Sequence, residues 1–245
     1  MMKISRPVRG FTLVEMLLVV AIIALLISML LPTLSKARSG AGEGRCKAEK
    51  SQVVRVFTEY ALNNQGWYPD LSANASGART QSQLYWLDPY WRDALTIYGM
   101  QRDFFYCPTN PRWNREDFWY YSTANPATST DFVVGNFYFG SSAARQTGFL
   151  NSMVNLPKAG KLPVFARRSG AESQYPILWA DLNRTYPDPH WLSPGDPNRH
   201  GGNHMDYGGF WPRMSHEGRV DNSVADVPGN NIIWRGSLGS TGYHW

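Results

Sequence analysis

The chain has 245 residues, 43% hydrophobic and 18% charged, with a formal net charge of +5. That length holds an anchor and one domain of ordinary size, and a mean hydropathy of −0.38 makes everything beyond a single apolar run a water-soluble domain. Lys3, Arg6 and Arg9 are three of the 24 basic residues, and without them 21 bases face 19 acids, so the charge gives no reason to expect a nucleic-acid partner.

Residues 1–10 hold those three bases and no acid. From Phe11 to Leu31 the chain runs 21 residues in which only Thr12, Glu15 and Ser28 are not apolar. As a helix this run is ~31 Å long, the thickness of a bilayer's hydrocarbon core. A basic segment ahead of an apolar one keeps the N-terminus in the cytoplasm. A secretory signal peptide fits poorly, because the run is too long and no small-x-small cleavage site follows before Pro32. An uncleaved signal anchor explains the span and orientation, but neither Glu15 nor the Gly10-Phe11 junction. A carboxylate at such a position costs roughly 2.5–3.5 kcal/mol on insertion scales, so Glu15 needs a specific partner.

These residues carry a resemblance. Gly10-Phe11-Thr12-Leu13-Val14-Glu15, with its basic leader and its span, resembles the class III signal of type IV pilins and type II secretion pseudopilins. The resemblance implies cleavage between Gly10 and Phe11 by a prepilin peptidase, and methylation of the new amine on Phe11. Pro32 falls where such proteins place a helix bend. Phe11 and Glu15 are four apart and share a helix face. Glu15 of one subunit is therefore suited to neutralise the Phe11 amine of a neighbour, a role in assembly and not in catalysis. The implied partners are the peptidase, other pilin or pseudopilin subunits and inner-membrane lipid.

Further along, Thr33 to Arg38 is compatible with helix. Ser39-Gly40-Ala41-Gly42-Glu43-Gly44 predicts a hinge or loosened turn, since each interior glycine costs ~1 kcal/mol relative to alanine. Arg45 to Asn63 reads as an amphipathic helix with Val53, Val56, Phe57 and Tyr60 as its apolar stripe. Lys47, Glu49, Lys50, Arg55 and Glu59 are expected mostly on its other faces. Asn63-Asn64-Gln65-Gly66 suits a C-terminal cap. The organisation is thus a leader (1–10), a transmembrane helix (11–32), its amphipathic continuation (33–66) and a β-rich head (67–245).

Within the head, 71–83 reads as loop and 84–100 as a second short helix. Strand candidates are 131–139, 162–166, 176–180 and 231–234. The Pro-, Gly-, Asp- and His-rich stretch 186–209 reads as an ordered functional loop or a surface insert.

A second resemblance covers scattered blocks of the head. Cys46, the Tyr60-to-Pro69 segment, Phe105-Tyr106-Cys107-Pro108 and Ile177-to-Asp181 resemble elements of pseudopilin-like proteins from planctomycetes. Gly229 to Leu238 is similar to their final strand, but Arg235 stands where that family usually has aspartate. The two resemblances imply an α+β, pilin-like fold, with a long N-terminal helix packed on an antiparallel sheet.

Cys46 and Cys107 are a candidate disulfide in an oxidising periplasm, free buried cysteines being the alternative. His200 and His204, with Asp181, Asp206 and His216, are candidate metal ligands set against a reading as plain loop histidines. Glycines between His200 and His204 disfavour a helix, and no zincin motif is present. Asp181, Asp188, Asp196, Asp206 and Asp221 could offer oxygen ligands to calcium, and some related major subunits carry calcium. No cofactor is otherwise expected. The sequence has no Gly-x-Ser-x-Gly, P-loop or dinucleotide fingerprint, so an enzyme is not expected. Its ten tryptophans read as core, or alternatively as an exposed platform for glycans.

The function expected is that of a structural subunit, minor or specialised, of a secretion pseudopilus or type IV pilus-like filament. It would sit in the inner membrane as a single pass, with its N-terminus cytoplasmic and its head periplasmic. The alternative is a membrane-anchored periplasmic module that binds carbohydrate or a client.

Overall fold

The computed structural model describes residues 11–73, 76, 84–120, 132–140, 165–182, 184–185, 203–204, 212–232, 234–238 and 241–244. The chain divides into two compact units, Met1–Gly42 and Glu43–Trp245. Helix α1, Leu13–Asn63, contributes to both.

In the first unit, every described residue from 11 to 41 is exposed. These include Leu13, Leu17, Ile22, Leu26 and Leu30, apolar side chains with no protein cover. This is the one helix among the described residues that is long and apolar enough to cross a membrane. Pro32 lies inside it, and its missing N–H leaves the Ser28 carbonyl without a helical donor. The interruption expected over residues 39–44 is not found, since these residues stay within α1. Gly40 and Gly44 have open space where a Cβ would stand, so close packing does not explain them. Their helical cost is spread over a long run of good helix formers on either side.

In the second unit, α1 buries Cys46, Glu49, Lys50, Val53, Val54, Val56, Phe57 and Ala61. Val53, Val56 and Phe57 confirm the expected stripe, and Tyr60 packs at the edge of the core. Glu49 and Lys50 do not lie on a solvated face as expected, because positions 46, 50, 53, 54, 57 and 61 form one continuous helical face. The helix ends as anticipated. Gln65 and Gly66 take left-handed φ values of 56° and 84°, and the Gly66 N–H donates to the Ala61 carbonyl at 2.7 Å.

This face packs on an antiparallel sheet whose order is β3-β4-β6-β7, with β3 Asn136–Tyr138, β4 Ile177–Asp181, β6 Met214–Arg219 and β7 Val224–Pro228. Phe57 meets Tyr138 and Trp179 at ring separations of 4.9 and 5.6 Å. Gly218 on β6 permits the approach, since a Cβ there would lie 2.4 Å from Val54.

Two smaller sheets complete the described head. One pairs β1, Trp86–Leu87, with β2, Phe132–Val133; the other has the order β5-β9-β8, with β5 Arg184–Thr185, β8 Trp234–Leu238 and β9 Thr241–His244. Two short helices, α2 Tyr90–Ala94 and α3 Glu116–Trp119, place Trp91 in the core and Phe118 and Trp119 against it.

The expected strand 131–139 is two strands broken at Val134-Gly135. The segment 84–100, expected as a second helix, instead holds strand β1, α2 and a short 3-10 turn. Residues 229–231 form a 3-10 turn, so the last strands begin at Trp234. The β6–β7 hairpin was not anticipated, because its buried stretch, Ser215-His216-Glu217-Gly218, is polar. Most of 71–83, 162–164 and most of 186–209 lie outside the described residues.

Of the tryptophan side chains described, Trp91, Trp113 and Trp179 are buried in the core, and Trp86 and Trp119 pack against it. Trp67 is exposed, with the Arg168 guanidinium 4.9 Å from its ring centre. These side chains follow the core reading and form no exposed cluster of three.

Candidate functional site

At the start of α1, Thr12 and Glu15 cap the helix reciprocally. The Thr12 N–H and hydroxyl donate to Glu15 Oε2 at 2.9 and 2.8 Å, and the Glu15 N–H donates to Thr12 Oγ1 at 3.3 Å. This is a capping box, which satisfies otherwise orphaned backbone donors of the first turn. Phe11 stands just outside it and is exposed. Among the described residues, the Glu15 carboxylate thus has a local neutral partner and no cationic one. Gly10 lies outside the described residues.

The second constellation lies deep in the head. Cys46 of α1, Cys107, Asp181 at the end of β4, and His204 converge so that one ligand atom from each lies within 4.8 Å of the others. All four are buried. The sulfurs of Cys46 and Cys107 are 3.1 Å apart, and His204 Nε2 lies 3.3 Å from the first and 3.4 Å from the second. The other face of the His204 ring is set by Thr109, whose Oγ1 is 3.3 Å from Nδ1. His204 takes φ 54°, a left-handed conformation costly for a residue with a Cβ. Backbone hydrogen bonds from Asn203 to Leu182 and from Arg213 to His204, each 3.0 Å, hold this segment in place.

Asp181 is the electrostatic centre. Its Oδ1 lies 3.0 Å from Lys50 Nζ and accepts from Asn203 Nδ2 at 2.9 Å. Its Oδ2 lies 3.3 Å from His204 Nε2 and accepts from the His216 N–H at 2.6 Å. Burial alone would raise this carboxyl, but Lys50 and His204 outweigh it and hold it far below the ordinary carboxylate range. Burial likewise acts to lower Lys50 and His204, yet Asp181 raises both, His204 to about 10. Burial opposes a thiolate at Cys107, but its contacts with Cys46 and His204 bring it down to about 5. Contact with Cys107, together with burial, pushes Cys46 up.

Comparison with known proteins bears on the N-terminus. Residues 5–31 match the model of the prokaryotic N-terminal methylation motif. The N-terminal segment carries this methylation motif. The chain is 35% identical over 68 residues to the type IV wide pilus major component PilA4 of Thermus thermophilus, covering 28% of this chain and 52% of that protein. It is 33% identical over 64 residues to the competence protein ComGC of Bacillus subtilis, covering 26% of this chain and 65% of that one. The chain therefore spans about half to two thirds of the length of these relatives. No solved structure matches it.

Phe11 and Glu15 lie within the matched residues 5–31, and Pro32 follows directly after them. Of the residues expected as metal ligands, Asp181 and His204 come together, whereas His200 and Asp206 lie outside the described residues. His216 is adjacent without joining the set, its ring 4.5 Å from that of His204 and its Nδ1 2.9 Å from Asp226. Cys46 and Cys107, read as a candidate disulfide or as free buried cysteines, stand as two free thiols, farther apart than the ~2.05 Å of a bond. Asp181 and Asp221, read as calcium candidates, have separate surroundings, Asp221 accepting from Ser223 in the β6–β7 turn. Asp188, Asp196 and Asp206 lie outside the described residues. Arg235 belongs to β8, where only the backbone is described.

Sequence reasoning missed Lys50. The signal was present in its place on the Cys46–Ala61 face.

Proposed function

We propose that the chain is a structural subunit of a type IV pilus-like or pseudopilus filament, and not an enzyme. The observation that carries this reading is the methylation motif over residues 5–31 on a helix whose side chains from 11 to 41 have no cover of their own. Such a surface needs lipid before assembly and neighbouring helices after it. The names of the two relatives, a pilus component and a competence protein, support the same reading.

In this reading a prepilin peptidase cuts between Gly10 and Phe11 and methylates the new amine. The segment 11–32 then spans the inner membrane as a single pass, with the head in the periplasm. Glu15 exchanges its capping bonds with Thr12 for the amine of an adjacent subunit. Intact-mass measurement on membrane-extracted protein tests the processing. The expected species begins at Phe11 and carries one added methyl group. A chain that keeps residues 1–10 in its native host overturns the proposal.

A further inference from the structure

We propose that Cys46, Cys107, Asp181 and His204 form a closed structural zinc site in the head. Zinc takes thiolate, imidazole and carboxylate ligands in tetrahedral sets of four, with Zn–S near 2.3 Å and Zn–N or Zn–O near 2.0–2.2 Å. Those bond lengths imply tetrahedral edges of roughly 3.8 Å for S–S, 3.6 Å for S–N and 3.4 Å for N–O. The chain holds these edges at 3.1 Å for S–S, 3.3 and 3.4 Å for S–N, and 3.3 Å from His204 Nε2 to Asp181 Oδ2. All of these edges have to open to admit the ion, the sulfur pair by about 0.7 Å and the others by about 0.1–0.3 Å, while Cys46 Sγ already stands 3.7 Å from Asp181 Oδ1.

Three further features point to a ligand. The Thr109 hydroxyl oxygen can accept a hydrogen bond from Nδ1–H of His204, and in that tautomer the Nε2 lone pair faces both sulfurs and the carboxylate. The backbone N–H of His216 and the amide of Asn203 orient the two oxygens of Asp181, as outer-shell donors do for ligating carboxylates. The charge balance also works. Without metal, the group of Lys50, Asp181, His204 and the two cysteines is neutral when it holds two protons that a metal would displace. Zinc replaces those two protons and leaves the buried charge unchanged, with Lys50 offsetting the single negative charge of a Cys₂-Asp-His zinc centre.

A small cavity of about 220 Å³, lined by Arg45, Glu49, Asp103, Tyr106 and Cys107, opens beside the second thiol and provides a way in. With four protein ligands and full burial there is no open coordination position, so the ion would staple segments far apart in sequence and not activate water.

The test uses the full chain, purified in detergent under reducing conditions, loaded with zinc or cobalt and desalted. One metal per chain is expected. The cobalt form should show thiolate-to-metal charge transfer and the strong visible bands of tetrahedral coordination. Cys46→Ser and His204→Gln should lose the metal. Because those variants risk misfolding, Thr109→Val serves as the milder probe and should weaken zinc binding roughly 10–100-fold. Asp221→Asn, remote from the four ligands, should keep full stoichiometry. The proposal is overturned if reduced wild-type chain retains no metal. It is equally overturned if Thr109→Val binds zinc as tightly as wild type, or if protein taken from its host carries a Cys46–Cys107 disulfide. None of these outcomes bears on whether residues 1–10 are removed.

Discussion

The two ends of α1 solve the problem of a charge on an apolar helix in opposite ways. Near its start, Glu15 sits among exposed leucines and valines and, among the described residues, is met by the N–H and hydroxyl of Thr12. Toward its other end, Lys50 is buried at 2% exposure and finds a full counter-charge in Asp181 of the same chain. Among the described residues the first arrangement lacks a counter-charge and the second has one. An unpaired charge in oil points outward to a partner, whereas a paired one holds a fold together.

The largest effect that would test this contrast is on assembly. Glu15→Ala should reduce incorporation into filaments to background, read by immunoblotting sheared filament fractions. The unfolding of the head should stay within about 0.5 kcal/mol of wild type, as for an exposed position remote from the core. Normal incorporation of Glu15→Ala would remove the distinction between the two ends of the helix.

Next in size is Lys50→Ala. Removing one member of a buried ion pair typically costs ~3–5 kcal/mol, because the other charge is left without compensation. The variant strands Asp181, which also organises His204 and the His216 backbone. Chemical denaturation of the chain in detergent, followed by tryptophan fluorescence, should show a midpoint lowered accordingly. The cleavage proposed between Gly10 and Phe11 should be unchanged.

The anchor was legible because its constraints are local. Span length, leader charge and the Gly-Phe-x-x-x-Glu spacing are all read along one dimension. The stripe of Val53, Val56 and Phe57 was legible for the same reason, as helical period 3.6 needs no knowledge of the partner. The buried cluster was legible only in pieces. Cys46 was set against Cys107, and His204 against His200, but nothing local says that residues 46, 107, 181 and 204 meet. Lys50 was misplaced because charge was taken as a sign of exposure, a rule that fails when a counter-ion arrives from β4. The β6 strand was missed because His216 and Glu217 are buried side by side, without the alternation that marks a half-solvated strand.

A smaller effect tests the helix–sheet contact that carries Lys50 inward. Gly218→Ala puts a methyl where only 2.4 Å separates the Cβ position from Val54. Overpacking of this kind costs ~1–3 kcal/mol. The double variant with Val54→Ala should recover part of that loss, and a double-mutant cycle on denaturation midpoints measures the coupling. Additive losses would mean that the helix does not rest on β6 at this point.

The smallest effect isolates burial as the variable. Lys47 stands three residues before Lys50 on the same helix and also contacts an aspartate, Asp226 of β7, at 2.7 Å. Both partners are more than a third exposed, at 43% and 47%, so solvent screens the pair and Lys47→Ala should cost under about 1 kcal/mol. The sign of its pH dependence is fixed. The hydrogen bond from Lys47, with His216 in support, keeps Asp226 below the ordinary carboxylate range despite a small opposing effect of burial. A depressed folded value stabilises the head above the unfolded carboxylate pKa, and that gain is lost as pH falls through the lowered value. The difference between wild type and Lys47→Ala should therefore shrink in acid and in high salt, while the cost of Lys50→Ala persists in salt because its pair is shielded from solvent. Equal costs for the two lysines at neutral pH would show that position on the helix, and not desolvation of the pair, sets the energy.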